Sequence, residues 1–179
     1  MVRSRRTSMA ALIKIDHSFT SIAGRANAIR FCSRCGEPAE EPAHGHEGVP
    51  RTRVCETCGM GVLLSCAREA LPGAGAAFLI ATVARTVSAV SEAAEPLFGV
   101  EQAILGTPVA DLLGSPMGEE RLLRTVTQAA TRAREPQVMP VLGLTENAQD
   151  LGMLAARIST CGRPRAALIT VEPSDFGRR

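Results

Sequence analysis

The 179-residue chain has no tryptophan, no tyrosine and only five phenylalanines. Surfaces that stack nucleobases or a flavin ring rely on such aromatics, so single-stranded nucleic acid is a poor fit. Lysine is nearly missing: Lys14 stands alone against 19 arginines, a skew of GC-rich coding rather than of function. No run approaches the ~18 consecutive apolar residues of a membrane-spanning helix. The basic N-terminus has no apolar core followed by a small-residue cleavage site, and the sequence reads as that of a cytoplasmic protein. Hydrophobic residues make up 45% of the chain and charged ones 21%, the balance of a folded globular protein rather than a disordered one.

Positive charge is concentrated at the start. Residues 1–30 hold Arg3, Arg5, Arg6, Lys14, Arg25 and Arg30 against Asp16 alone, so the remainder of the chain is slightly acidic. The segment has no sustained periodicity and reads as a flexible basic tail, with Met9 as an alternative start.

Cysteine carries the sharpest signal. Cys32-Ser33-Arg34-Cys35-Gly36 and Cys55-Glu56-Thr57-Cys58-Gly59 are two CxxCG turns, with 19 residues between them. A CxxC turn aims two sulfurs at one ion, and the glycine after it lets the backbone fold back. This separation is that of a Cys₄ zinc site, in which four thiolates leave no open position and the metal is structural. The metal then supplies folding energy that ~40 residues cannot draw from a core of their own. A thioredoxin-like redox pair has one CxxC in a βαβ setting, disulfides need an oxidising compartment, and a rubredoxin-like iron site would call for core aromatics. The spacing resembles zinc-ribbon or treble-clef modules over residues 31–71. A helical pattern from Val62 to Leu71 leans toward treble clef, and it puts Cys66 on the buried face of that helix. His44 and His46 read as exposed loop residues in a Gly36–Pro50 loop, and Cys161, placed in a turn, as the more exposed thiol.

Pro72-Gly73-Ala74-Gly75 marks a boundary, after which the pattern changes. Strands are expected at Ala77–Ala81 and Thr86–Val90, and a helix over Glu92–Phe98 capped by Ser91 and stopped by Gly99. Two short segments follow, Glu101–Leu105 and Val109–Leu113. A long amphipathic helix covers Glu119–Arg134, with Leu122, Leu123, Val126, Ala129, Ala130 and Ala133 as its stripe. Three strands then close the chain, at Gln137–Leu144, Leu151–Thr160 and Arg165–Val171. Strands flanking helices predict an α+β fold, an antiparallel sheet with helices on one face.

Within this region, Phe78-Leu79-Ile80-Ala81, Ser91-Glu92-Ala93-Ala94-Glu95-Pro96-Leu97-Phe98-Gly99, Glu101 through Val109, and Asp111-Leu112-Leu113 resemble a PAS domain. The family often has Asn where Ser91 stands and an Asp-Gly turn where Ala84-Arg85 stand. The resemblance implies a PAS-like five-stranded antiparallel sheet over 76–173, and signal sensing or transcription-linked regulation through a partner or a homodimer. After His46 there is no histidine, and the helices carry no cysteine, so neither a histidine-ligated haem nor a cysteinyl flavin is expected, and the PAS ligand stays unassigned. With no Gly-rich phosphate loop, GxSxG or paired carboxylates, a non-enzymatic role is expected. Two alternatives stand beside it: a nucleic-acid-binding regulator using the basic tail, disfavoured by the acidic 31–74 region, and a redox switch in which thiolate oxidation ejects zinc.

Overall fold

The strand Ala77-Phe-Leu-Ile-Ala is apolar at every position, which a sheet covered on one side only does not require. The computed structural model, which describes residues 28–39, 53–132 and 135–174, supplies the reason: both faces of that strand are covered. In chain order, β1 is Ala28–Cys32, β2 Pro38–Ala39 and β3 Leu63–Ala67, followed by a 3-10 turn at Arg68–Ala70. Then come β4 (Ala77–Ala81), β5 (Val87–Val90), a 3-10 turn at Glu92–Ala94 running into α1 (Glu95–Phe98), α2 (Glu101–Ile104) and α3 (Val109–Leu112). The remaining elements are β6 (Leu113–Gly114), α4 (Glu119–Thr131), β7 (Gln137–Gly143), α5 (Glu146–Gln149), β8 (Met153–Cys161) and β9 (Ala166–Pro173). The result is a mixed fold: few helices on an antiparallel sheet.

The strands run in the order β2-β1-β3-β8-β9-β4-β5, with β7 paired to β8 and β6 to β7. Strand β8 is the trunk. One edge pairs with β9 from Leu154 to Cys161; the other takes β7 along Met153–Ile158 and β3 at a single rung, Cys66 with Cys161. Strands β1 and β4 are four places apart in this order, which in a flat sheet means roughly 19 Å. Yet the rings of Phe31 and Phe78 have centroids 5.8 Å apart. The sheet therefore curls, and the β1–β3 hairpin folds back over the outer face of β4 and β9.

Side-chain alternation sorts the core into two layers. Leu79, Ala81, Ala167, Ile169, Ala156 and Ile158 turn inward, against Leu122, Val126 and Ala129 of α4. Phe78, Ile80, Leu168 and Cys161 turn outward, against Phe31, Cys66 and Ala70 of the hairpin side. Helix α4 ends at Thr131, and its last carbonyls are taken by Thr160 Oγ1, which donates to Ala129 and Arg132, and by the Arg165 guanidinium, which donates to Thr131.

Several expectations need correction. The helix over Val62–Leu71 is strand β3 plus a 3-10 turn. Leu64 and Cys66 face the core while Ser65 is exposed, a period of two, and pairing with β1 outweighs the helical spacing in so short a segment. This removes the argument for a treble clef. Cys161 is 1% exposed, because β8 runs one residue further than the turn signal implied. Ser91 holds the N-cap position, and its carbonyl accepts from the Ala94 N–H, but its side chain makes no cap: Oγ accepts from the Phe78 N–H at 2.9 Å and donates to the Ala76 carbonyl. Part of the Gly36–Pro50 loop pairs as β2, and the connection between β7 and β8 holds a short helix, α5. The basic tail up to residue 27, His44, His46, Ala133 and Arg134 lie outside the described residues.

Candidate metal centre

Two loops of the same build face each other. In the first, β1 delivers Cys32, the Gly36 N–H donates to the Cys32 carbonyl at 3.1 Å, and the Cys32 N–H donates to Glu37. In the second, the Gly59 N–H donates to the Cys55 carbonyl at 2.9 Å, and the Cys55 N–H to Gly61. Gly36 and Gly59 have φ of +77° and +70°, the left-handed region that glycine enters without steric cost, and this explains the residue after each CxxC. The loops are tied together through Ser33, whose N–H donates to the Val62 carbonyl and whose Oγ accepts from the Val62 N–H.

This build brings Cys32, Cys35, Cys55 and Cys58 together, with all four Sγ atoms within 4.8 Å of one another. Cys32 lies 3.6 Å from Cys58, and Cys35 3.9 Å from Cys55. These distances are far beyond a sulfur–sulfur bond. They match the ~3.8 Å edge of a tetrahedron whose centre is ~2.3 Å from each corner, the usual length of a metal–thiolate bond. The four thiols could hold one metal ion.

Backbone N–H groups already point at the sulfurs. Arg34 and Cys35 donate to Cys32 Sγ at 3.3 and 3.5 Å, and Gly61 to Cys58 Sγ at 3.4 Å. The N–H groups of Met60 and Gly61 pull the Cys58 thiol down to about 6. Burial opposes the same effect at Cys55, but the N–H groups of Cys58 and Thr57 outweigh it and the thiol is lowered. Burial pushes Cys35 up to about 12 and raises Cys32. Metal capture at neutral pH thus expels protons from part of the cluster. Gly61 also has a steric role: a Cβ there would sit 2.1 Å from Cys32 Sγ.

No model of a known protein family matches this chain, and no curated protein matches it at a significant level of similarity.

The centre is joined to the rest of the protein by Arg34, between the two cysteines of the first loop. Its guanidinium grips Glu95 of α1 with Nη1 at 3.0 Å and Nη2 at 3.3 Å, and Nη1 reaches Glu101 of α2 at 3.3 Å. Its carbonyl accepts from the Glu92 N–H. Glu95 in turn accepts from the Glu101 N–H, and the Arg34 hydrogen bond holds its carboxyl below the usual range. On the other flank Arg157 of β8 donates to the carbonyls of Glu69 and Leu71, just after the hairpin.

The four predicted ligands are brought together; Cys66 and Cys161 are not part of the cluster and lie in the outer core layer. Sequence reasoning missed Arg34, Gly61 and Ser33. A charged residue inside a metal-binding turn is a weak hint, but Glu95 and Glu101 are some sixty residues away and no spacing links them. The enclosed crevice between α4 and β8, beside Thr125, Ala129 and Ile158, has about 10 Å³, the room of a single water. The roomier cleft, about 290 Å³, is an open groove beside Arg85, Arg124 and Gln128 on the exposed side of α4.

Proposed function

We propose that this is a non-enzymatic regulatory protein in which a PAS-like body, residues 76–173, senses a signal or dimerises, and a structural zinc hairpin, residues 31–71, presents a contact surface to a protein partner. The observation that carries the reading is the Arg34 clasp. A metal-binding turn that grips α1 and α2 through one guanidinium ties the order of the metal hairpin to the helices of the body. Zinc is the ion that suits four thiolates at tetrahedral spacing with no open position. When bound, it cross-links the two loops and supplies no reaction chemistry.

The PAS-like reading is supported by the element order of two strands, short helices, one long helix and three strands, and by helices on the inner face of one antiparallel sheet. Arg85, where the family often has the glycine of an Asp-Gly turn, adopts φ +65°, the conformation glycine would take. A protein partner is favoured over nucleic acid by what the hairpin exposes. Val54, Met60 and Val62 beside the second loop are 50%, 69% and 47% exposed, an apolar end suited to a protein surface rather than to phosphates.

Native mass spectrometry of protein purified without added metal tests the reading. It predicts one zinc per chain together with a homodimer, a co-purified protein, or a retained small molecule. A metal-free monomer that is folded and alone would contradict it.

A further inference from the structure

Cys66 and Cys161 do not belong to the metal centre, yet they are directly opposite each other at the one rung where hairpin strand β3 joins β8. The Gly162 N–H donates to the Ser65 carbonyl at 2.8 Å. A hydrogen bond between the residues flanking a rung means that the rung itself is a non-hydrogen-bonded pair, the closer of the two antiparallel kinds, with Cα atoms ~4.5 Å apart. That lies within the 4.4–6.8 Å range that a disulfide spans. Both side chains enter the same outer core layer, so they point to the same side of the sheet.

We propose that Cys66 and Cys161 are a disulfide-forming pair, a modification site that staples the metal hairpin to the sheet when the protein meets a small-molecule disulfide such as oxidised glutathione. In the first step one cysteine sulfur attacks the oxidant, forming a mixed disulfide and releasing one glutathione thiol. In the second the opposing cysteine sulfur displaces the remaining glutathione. The cysteine pair loses two electrons and two protons, and the oxidant leaves as two thiols.

The closed protein protects the pair. Cys66 and Cys161 are 5% and 1% exposed, and burial pushes both thiols up to about 12. The thiolate is the attacking species, so reaction proceeds through opening of the β3–β8 rung. This single rung is the sparsest junction in the sheet, and any metal in the hairpin steadies it. The inference needs only the strand pairing and stands apart from the regulatory reading.

The test exposes the full-length protein to excess oxidised glutathione, with and without prior chelation, and reads intact mass and fragment spectra. In the expected product, fragments show a link between Cys66 and Cys161 with no glutathione on either residue, whatever the four cysteines of the metal centre carry after chelation. It forms more slowly before chelation than after. Cys66→Ala and Cys161→Ala each stop at an adduct with one glutathione or stay unmodified at the remaining partner. Wild-type protein in which both residues persist as free thiols, or as two separate glutathione adducts, overturns the proposal. So does a link from either one to another cysteine.

Discussion

Phe31 of the metal hairpin and Phe78 of the central sheet meet edge to face, their ring planes at 76° and both side chains fully buried. This pair fastens the hairpin to the sheet from a position next to Cys32, so loss of one ring is felt both in the outer core layer and at the first CxxC loop. Phe31→Ala is expected to cost about 3–5 kcal/mol. Chemical denaturation of the metal-loaded protein measures it; a cost below about 1 kcal/mol would mean that the hairpin does not rest on Phe78.

The contact between Gly61 and Cys32 Sγ sets a steric limit on the metal centre. Gly61→Ala forces the Cys32 sulfur or the second loop to move, and it disturbs the N–H that Gly61 gives to Cys58. Metal affinity is expected to fall by about 10–100-fold, the usual effect of disturbing groups that orient ligands. Competition with a chromophoric chelator gives the ratio, and an unchanged affinity would remove the steric argument.

Glu95 is held below the usual carboxylate range by the hydrogen bond from Arg34. A lowered carboxyl stabilises the fold above its unfolded-state pKa and loses that contribution as pH falls through the folded-state value. Glu95→Gln should therefore destabilise the protein near neutral pH, and the difference from wild type should shrink as pH drops into the acid range below about 4. Comparing the two proteins at each pH cancels the acid loss of metal common to both. A difference that grows toward acid would contradict the clasp.

Ser91 is 1% exposed and satisfies the Phe78 N–H and the Ala76 carbonyl. Ser91→Ala leaves a buried donor without a partner, at about 1–3 kcal/mol. Ser91→Asn keeps an acceptor and should lose less. Thermal melts of the two variants give the order, and an Ala variant as stable as wild type would mean that the hydroxyl does no bonding there.

Much of this was legible because the signals are local. The CxxCG turns declare which four cysteines come together and the need for Gly36 and Gly59. Strands β4, β5, β7 and β9 and helix α4 lie within a few positions of where their apolar residues put them, with Thr131 ending α4 where its carbonyls are taken by Thr160 and Arg165. What failed was long-range. Leu64 and Cys66 satisfy a helical spacing and a strand spacing alike, and only β1 alongside decides between them. Cys161 sits at a turn by composition but inside a strand by pairing. Ser91 has the identity of a helix cap, yet its hydroxyl is drawn across to β4. The Arg34 clasp and the Phe31–Phe78 contact join residues that only the curl of the sheet brings together.

The central claim is that Cys32, Cys35, Cys55 and Cys58 hold one zinc ion. X-ray absorption at the zinc edge, on protein with its metal content quantified, tests it most directly. The account predicts one zinc per chain with four sulfur neighbours at about 2.3 Å and no nitrogen or oxygen ligand. A histidine nitrogen in the first shell, or a folded protein with no bound metal and all four thiols titratable, would contradict it.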